Sequence, residues 1–231
     1  MTVTALGILG GTFDPVHNGH VELARELRAA LPLSAVRFVP VGAPPHRAAP
    51  IASAADRLAM IELALAAHPG LVADSREIAR TGPSYTVLTL EELRREDAAR
   101  PLALIVGADA FLGLPSWHRW HDLFALAHLV VVARPGVALD PARVPALLPE
   151  WERRHTDDPR ALVATPAGAI LTCPVIAHDI SSTALRALLG RGPAGCDAAR
   201  GLLPPAVLAY IERNQLYRTP PCPSERSPGS P

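Results

Sequence analysis

The chain has 231 residues, 49% of them apolar and 19% charged, which is enough for one sizeable α/β domain or two small ones and too rich in core formers for wholesale disorder. Its 22 basic and 22 acidic residues balance to zero, which argues against a protein that coats nucleic acid or an anionic membrane. All the basic residues are Arg, and the absence of Lys excludes a Walker-type phosphate lysine and Schiff-base chemistry.

The three cysteines (Cys173, Cys196 and Cys222) form neither an even framework nor a C-x-x-C pair, so a disulfide scaffold and structural zinc are not expected. No apolar run approaches the roughly 18 residues of a membrane span. The N-terminal residues carry no basic segment of the kind that opens a signal peptide. The expectation is a soluble cytoplasmic protein.

In chain order, Thr4 to Leu9 is a short apolar run that does not alternate and stops at Gly10-Gly11, the pattern of a parallel strand buried on both faces. From Gly19, Val21, Leu23, Ala24, Leu27 and Leu31 recur at helical spacing until Pro32. Val36 to Val41 reads as a strand, and Ala54 to Ala67 as an amphipathic helix closed by Pro69-Gly70. A short strand at Leu71 to Ala73 and a helix from Thr86 to Arg95 follow. Strands are next expected at Leu102 to Val106, at His128 to Ala133 and, broken by Pro174, at Ile170 to Ile176. Two helices, Ser182 to Leu189 and Pro205 to Asn214, close the pattern.

Alternating strands and helices with short connections imply a doubly wound, Rossmann-like parallel sheet. One domain over residues 1–218 is expected, with a small helical part from about 180. The Pro/Ser-rich residues 219–231 lack periodicity and read as a disordered tail. Residues 137–168 read as an irregular insertion.

Gly10, Gly11, Thr12 and Phe13 open a strand-to-helix loop that runs through Asp14-Pro15-Val16-His17-Asn18-Gly19-His20. In an open parallel sheet such a loop borders the ligand crevice, and the helix it starts offers unpaired N–H groups to an anion. The glycines do not follow G-x-G-x-x-G, so an ordinary dinucleotide fingerprint is excluded. His17 and His20, three residues apart, fall on one helix face. A lone His would be a solvated or capping residue, but two here suit phosphate oxygens, because imidazole donates N–H bonds and can carry charge near neutral pH. Protein-held zinc is not expected at this pair, since no third ligand shows matching spacing. Asp14, before a proline, reads as a turn residue.

Near the other end, Ser181, Ser182 and Thr183 open a helix with Arg186 one turn in. An ordinary serine cap would explain them; beside the histidine loop they form a second phosphate clamp.

Gly-Gly-Thr-Phe-Asp-Pro-x-His-x-Gly-His and Ile-Ser-Ser-Thr-x-x-Arg together resemble the H-x-G-H nucleotidyltransferase superfamily. Within it the chain is similar to the bacterial nicotinate-nucleotide adenylyltransferases, through Pro44-Pro45-His46-Arg47, Pro83-Ser84-Tyr85-Thr86, Gly107-Ala108-Asp109, Pro115-Ser116-Trp117 and Arg134-Pro135-Gly136 in that order. The resemblance spans residues 5 to about 218 and departs at Trp117-His118-Arg119-Trp120, which is bulkier than the family pattern.

The resemblance implies transfer of the adenylyl group of ATP to nicotinate mononucleotide, with release of pyrophosphate, in NAD biosynthesis. The nucleophile is a phosphate already ionised at pH 7, so no activated Ser or Cys is needed. His17, His20 and Arg186 would align the phosphates and stabilise charge. Gly10 to Phe13, His46, Arg47, Arg134, Gly136, His178 and Ser181 to Thr183 would hold ATP. Tyr85, Thr86, Gly107, Asp109 and Trp117 would hold the mononucleotide: Trp117 by stacking on the pyridine ring, Tyr85 and Thr86 at its carboxylate, and Asp109 at a ribose, although its position equally suits a helix cap. Mg²⁺ is expected with ATP, held by triphosphate and water rather than a protein metal site. No nucleic-acid or membrane partner is expected, and the oligomeric state stays open, a homo-oligomer included. His68, His121, His128, His155, Trp120 and Trp151 are left to structure. The alternatives are an adenylyltransferase for nicotinamide mononucleotide or another phosphorylated acceptor, and a catalytically silent nucleotide-binding module.

Overall fold

The computed structural model describes residues 3–43, 49–133, 139–174 and 180–218. Its elements run β1 (Ala5–Gly11), α1 (Asn18–Ala30), β2 (Leu33–Pro40), α2 (Ala54–Leu65), β3 (Leu71–Ala73), α3 (Arg76–Ala79), α4 (Thr86–Glu96), β4 (Leu102–Gly107), α5 (Ala108–Leu112), α6 (Leu123–Leu126), β5 (His128–Ala133), α7 (Leu148–Arg154), β6 (His155–Thr156), α8 (Ala161–Ala164), β7 (Ile170–Pro174), α9 (Ser182–Leu189), α10 (Pro193–Ala199) and α11 (Pro205–Arg213). The seven strands form one sheet in the order β3-β2-β1-β4-β5-β7-β6, and each pairing is parallel.

Why the strands read as apolar runs is plain from the two cores. Alternate residues of β4 go to opposite faces: Ala103 and Ile105 join a cluster with α1, α2, α9 and α11, while Leu102, Leu104 and Val106 join one with α4 and α6. With both faces covered, neither set of side chains can be polar. β1 lies between β2 and β4, and from this position the chain winds out both ways. The carboxyl ends of β1 and β4 therefore flank the point where strand order reverses, the place where such sheets leave a ligand crevice.

Two expectations need correction. Residues 139–168 are not irregular: they form α7, the two-residue strand β6, which adds to the sheet edge beside β7, and α8. The signal is weak because α7 has seven residues and none of them is buried, so no apolar stripe marks it. Among the described residues three helices, not two, follow β7; α10 opens on Pro193 and is packed through Gly195, where a Cβ would lie 1.9 Å from the Leu188 carbonyl oxygen. No helix among the described residues is long and apolar enough to cross a membrane.

Candidate active site

Gly10, next to last in β1, and Gly107, last in the neighbouring β4, are both unobstructed: a Cβ on either would meet nothing within 4 Å, so the space above both is open. At Gly11 a Cβ would press on the Phe13 ring at 3.0 Å. That ring is buried because Phe13 takes a left-handed φ of 49°, which turns it inward onto Phe38 and edge-on to His20, 5.0 Å between centroids. Only the backbone of Phe13 is left to meet a ligand. A non-glycine residue holds such a conformation only when its surroundings over-determine it.

Those surroundings are two buried charges. Arg57, 1% exposed, donates from Nη1 to the Thr12 carbonyl at 2.8 Å and from Nη2 to the Val41 carbonyl at 2.7 Å. The Asp14 carboxylate, also buried, accepts from the Ile51 N–H (2.8 Å), the Ala52 N–H (3.1 Å) and the Tyr217 hydroxyl (2.7 Å). Asp14 is thus more than a turn residue. Arg57 occupies the apolar face of α2 together with Met60, Ile61, Ala64 and Leu65; a cation in that register was the one mark in the sequence. Tyr217 carried no mark, since its partner is 203 positions away.

His17 precedes α1 and His20 lies in its first turn, and their rings stack with centroids 3.7 Å apart and planes 26° apart. The backbone N–H of His17 donates to Nδ1 of His20 at 3.3 Å. An Nδ1 that accepts leaves the proton on Nε2, so His20 presents an Nε2–H donor. His17 Nδ1 is buried and has no hydrogen-bond partner among the described residues. Burial lowers the His17 pKa to about 4 and, with repulsion from His17, holds His20 well below the usual imidazole range. This corrects the expectation of charge near neutral pH: in the free protein both rings are neutral donors and acceptors, because desolvation disfavours the charged form.

The second predicted clamp arrives at the same loop. Arg186 Nη1 donates to the Asp14 carbonyl at 2.7 Å and Nη2 to Thr183 Oγ1 at 3.2 Å. Ser182 Oγ donates to the Pro15 carbonyl at 3.2 Å, and Ser181 caps α9 through the Ala184 N–H. Asn18 adds two bonds, from its N–H to Leu202 (3.0 Å) and from its side chain to Gly201 (2.8 Å). Residues some 170 positions apart thus meet at one edge of the crevice.

The β4 side is looser. Tyr85 and Thr86 begin α4, whose first turn holds no acidic residue, so its unpaired N–H groups keep their positive field. Ser84 Oγ pins the neighbouring turn by accepting from the Gly42 and Ala43 N–H groups at 3.0 and 3.2 Å. Tyr85 lies against the imidazole of His118, 4.3 Å between centroids, and Trp117 is half-buried at the rim of the same apolar cluster. His118 belongs to the bulky run Trp117-His118-Arg119-Trp120 noted in the sequence, and here it covers a face of Tyr85. Asp109 is exposed in the first turn of α5. His46, Arg47, Arg134, Gly136 and His178 lie outside the described residues. Of the histidines left to structure, His128 is buried and hydrogen-bonded to Thr165 and Ala169, and His155 bonds Thr172.

Residues 8–188 match the family described as cytidylyltransferase-like. A protein of Dechloromonas aromatica described as "Probable nicotinate-nucleotide adenylyltransferase" is 48% identical over 215 residues, 92% of this chain and 97% of its own. One of Laribacter hongkongensis with the same description is 49% identical over 93% of this chain and 95% of its own. Among solved structures, the Plasmodium falciparum nicotinic acid mononucleotide adenylyltransferase complexed with NaAD superposes with a TM-score of 0.70, covering 93% of this chain and 97% of its own at 15% identity; that likeness speaks for the fold.

Proposed function

The chain belongs to the cytidylyltransferase-like family and is, by homology, a nicotinate-nucleotide adenylyltransferase, and on that premise we propose how its residues divide the work. The loop of Gly10 to His20 and the start of α9 hold the triphosphate of ATP; Tyr85, Thr86, Gly107, Asp109 and Trp117 hold nicotinate mononucleotide. Residues 1–218 act as one nucleotidyltransferase unit. The observation that supports this reading most is the bonding of Arg186 and Ser182 to the carbonyls of Asp14 and Pro15, which brings both predicted phosphate clamps to one loop.

In the reaction a phosphate oxygen of the mononucleotide attacks the α-phosphorus of ATP, and the bond to the β-phosphate oxygen breaks. The nucleophile needs no general base, so the protein's task is alignment and charge stabilisation. The Nε2–H of His20 suits an α-phosphate oxygen, and the α9 N-terminus with Ser182, Thr183 and the remaining N–H groups of Arg186 suits the departing pyrophosphate. Neutral imidazoles fit this role: they add donors without a buried charge, and a bound polyphosphate would raise their proton affinity. Mg²⁺ enters as part of the substrate, on ATP. The carboxylate of the loop does not fit a metal ligand, because both Asp14 oxygens already accept protein donors.

The α4 start favours an anionic ring substituent, which supports nicotinate over nicotinamide. Purified protein with ATP and Mg²⁺ should release pyrophosphate faster with nicotinate mononucleotide than with nicotinamide mononucleotide. Equal or reversed rates would remove the roles of Tyr85 and Thr86; no turnover from folded protein would favour a silent nucleotide-binding module.

A further inference from the structure

Asp14 bears two loads. Its carbonyl accepts the Arg186 guanidinium, and its carboxylate accepts Ile51, Ala52 and Tyr217. His17, three residues on, therefore shares its anchor with Arg186. Of the three donors to the carboxylate, two are backbone N–H groups that leave α2's approach in place whatever the side chains. Among the described residues Tyr217 is the one side-chain donor, and it comes from beyond the end of α11.

Tyr217 is held for that contact. It is 8% exposed and takes a left-handed φ of 64°, and Gln215 two residues before it takes one of 54°, so the chain after α11 turns sharply back into the core. A Tyr gains nothing locally from such a backbone, which persists where tertiary contacts enforce it. Burial and the Asp14 carboxylate push the Tyr217 acidity far above the ordinary phenol range, so the hydroxyl keeps its proton and donates. Arg57, near enough to the Asp14 carboxylate to feel its charge, grips the Thr12 carbonyl. Thr12 and Asp14, the neighbours of strained Phe13, are thereby each held by a buried side chain.

We propose that Tyr217 is a positioning residue for adenylyl transfer, holding through Asp14 both the loop that presents His17 and His20 and the guanidinium of Arg186. This rests on the functional reading above. It assigns the C-terminal turn a part in aligning groups more than 195 positions earlier, with no contact of its own to the reacting atoms. Among the described residues, removing the hydroxyl leaves Asp14 with the backbone donors of Ile51 and Ala52 and lets the loop relax, which misaligns donors whose value depends on geometry.

The test is Tyr217→Phe in the full chain, alone and combined with Asp14→Asn, with turnover measured well below each variant's melting temperature and folding checked by circular dichroism. Tyr217→Phe is expected to lower kcat about tenfold while the KM values for ATP and nicotinate mononucleotide stay within about twofold. Asp14→Asn should do the same, and the double variant should be no slower than the slower single one, because both cut one linkage. A merely structural Tyr217 would lower Tm and leave kcat alone, and that result overturns the inference, as does a double variant whose losses multiply. Folded wild-type protein without turnover would instead remove the functional reading, and this inference with it.

Discussion

The two banks of the crevice are built differently. On the β1 bank, the carbonyls of Thr12, Asp14, Pro15 and His17 and the Asp14 carboxylate all accept hydrogen bonds, several from residues distant in the chain. Phe13, Asp14, Val16 and His17 are buried. On the β4 bank, Gly107 and Asp109 are exposed, Trp117 is half-buried, and Tyr85 stacks on the exposed imidazole of His118. On the proposed division of the site, the difference matches what each bank would meet. A transferring phosphate demands donors fixed before the reaction, since reorganisation at that moment would forfeit their stabilisation. A flat pyridine ring and a ribose tolerate adjustment, because stacking falls off gently with position.

The contrast can be broken most directly at the rigid bank. His20→Ala should cut kcat on the order of 10²-fold or more with the fold intact; a rate near wild type would show that His20 donates to nothing that matters. Acid should act on the same bank. The His17 pKa is about 4 when folded and 6.5 when free, so between those values the unfolded chain binds the extra proton. The stability contribution is complete above pH 6.5 and is lost as the pH falls toward 4, a loss of roughly 3 kcal/mol. Urea melts at pH 7 and 4.5 should show most of that loss, and His17→Gln should reduce it; an unchanged pH slope would mean the ring is not desolvated.

On the looser bank the effects should be smaller and of another kind. Trp117→Ala should raise the KM for nicotinate mononucleotide about three- to tenfold and leave the KM for ATP unmoved. Equal changes in both would erase the division between banks. Smallest of all, a chain ending at Arg218 should match the full chain in turnover and Tm, because Tyr217 is retained; a clear loss would give the Pro/Ser-rich segment a role in the fold or the site.

Much of this could be read from residue order. Leu102 to Val106 and His128 to Ala133 announce buried parallel strands, because a strand covered on both faces has no room for alternation. Ser182 to Leu189 declares both its cap and its stripe. His17, His20 and Arg186 stand out because phosphate chemistry demands such groups at helix starts. What failed to show were pieces too short to carry a period, such as α5, α7 and α10, and groups whose meaning depends on a distant partner.

The amino-acid order by itself determined the sheet class, the family and which residues to propose for phosphate, since these depend on local periodicity and on side-chain chemistry that is the same in any surroundings. Tertiary structure decided the rest. Whether two imidazoles are charged depends on how much water reaches them, and whether Asp14 is a turn residue or an anchor depends on a tyrosine 203 positions away. Desolvation and long-range hydrogen bonds are properties of the packed chain, and no stretch of sequence contains them.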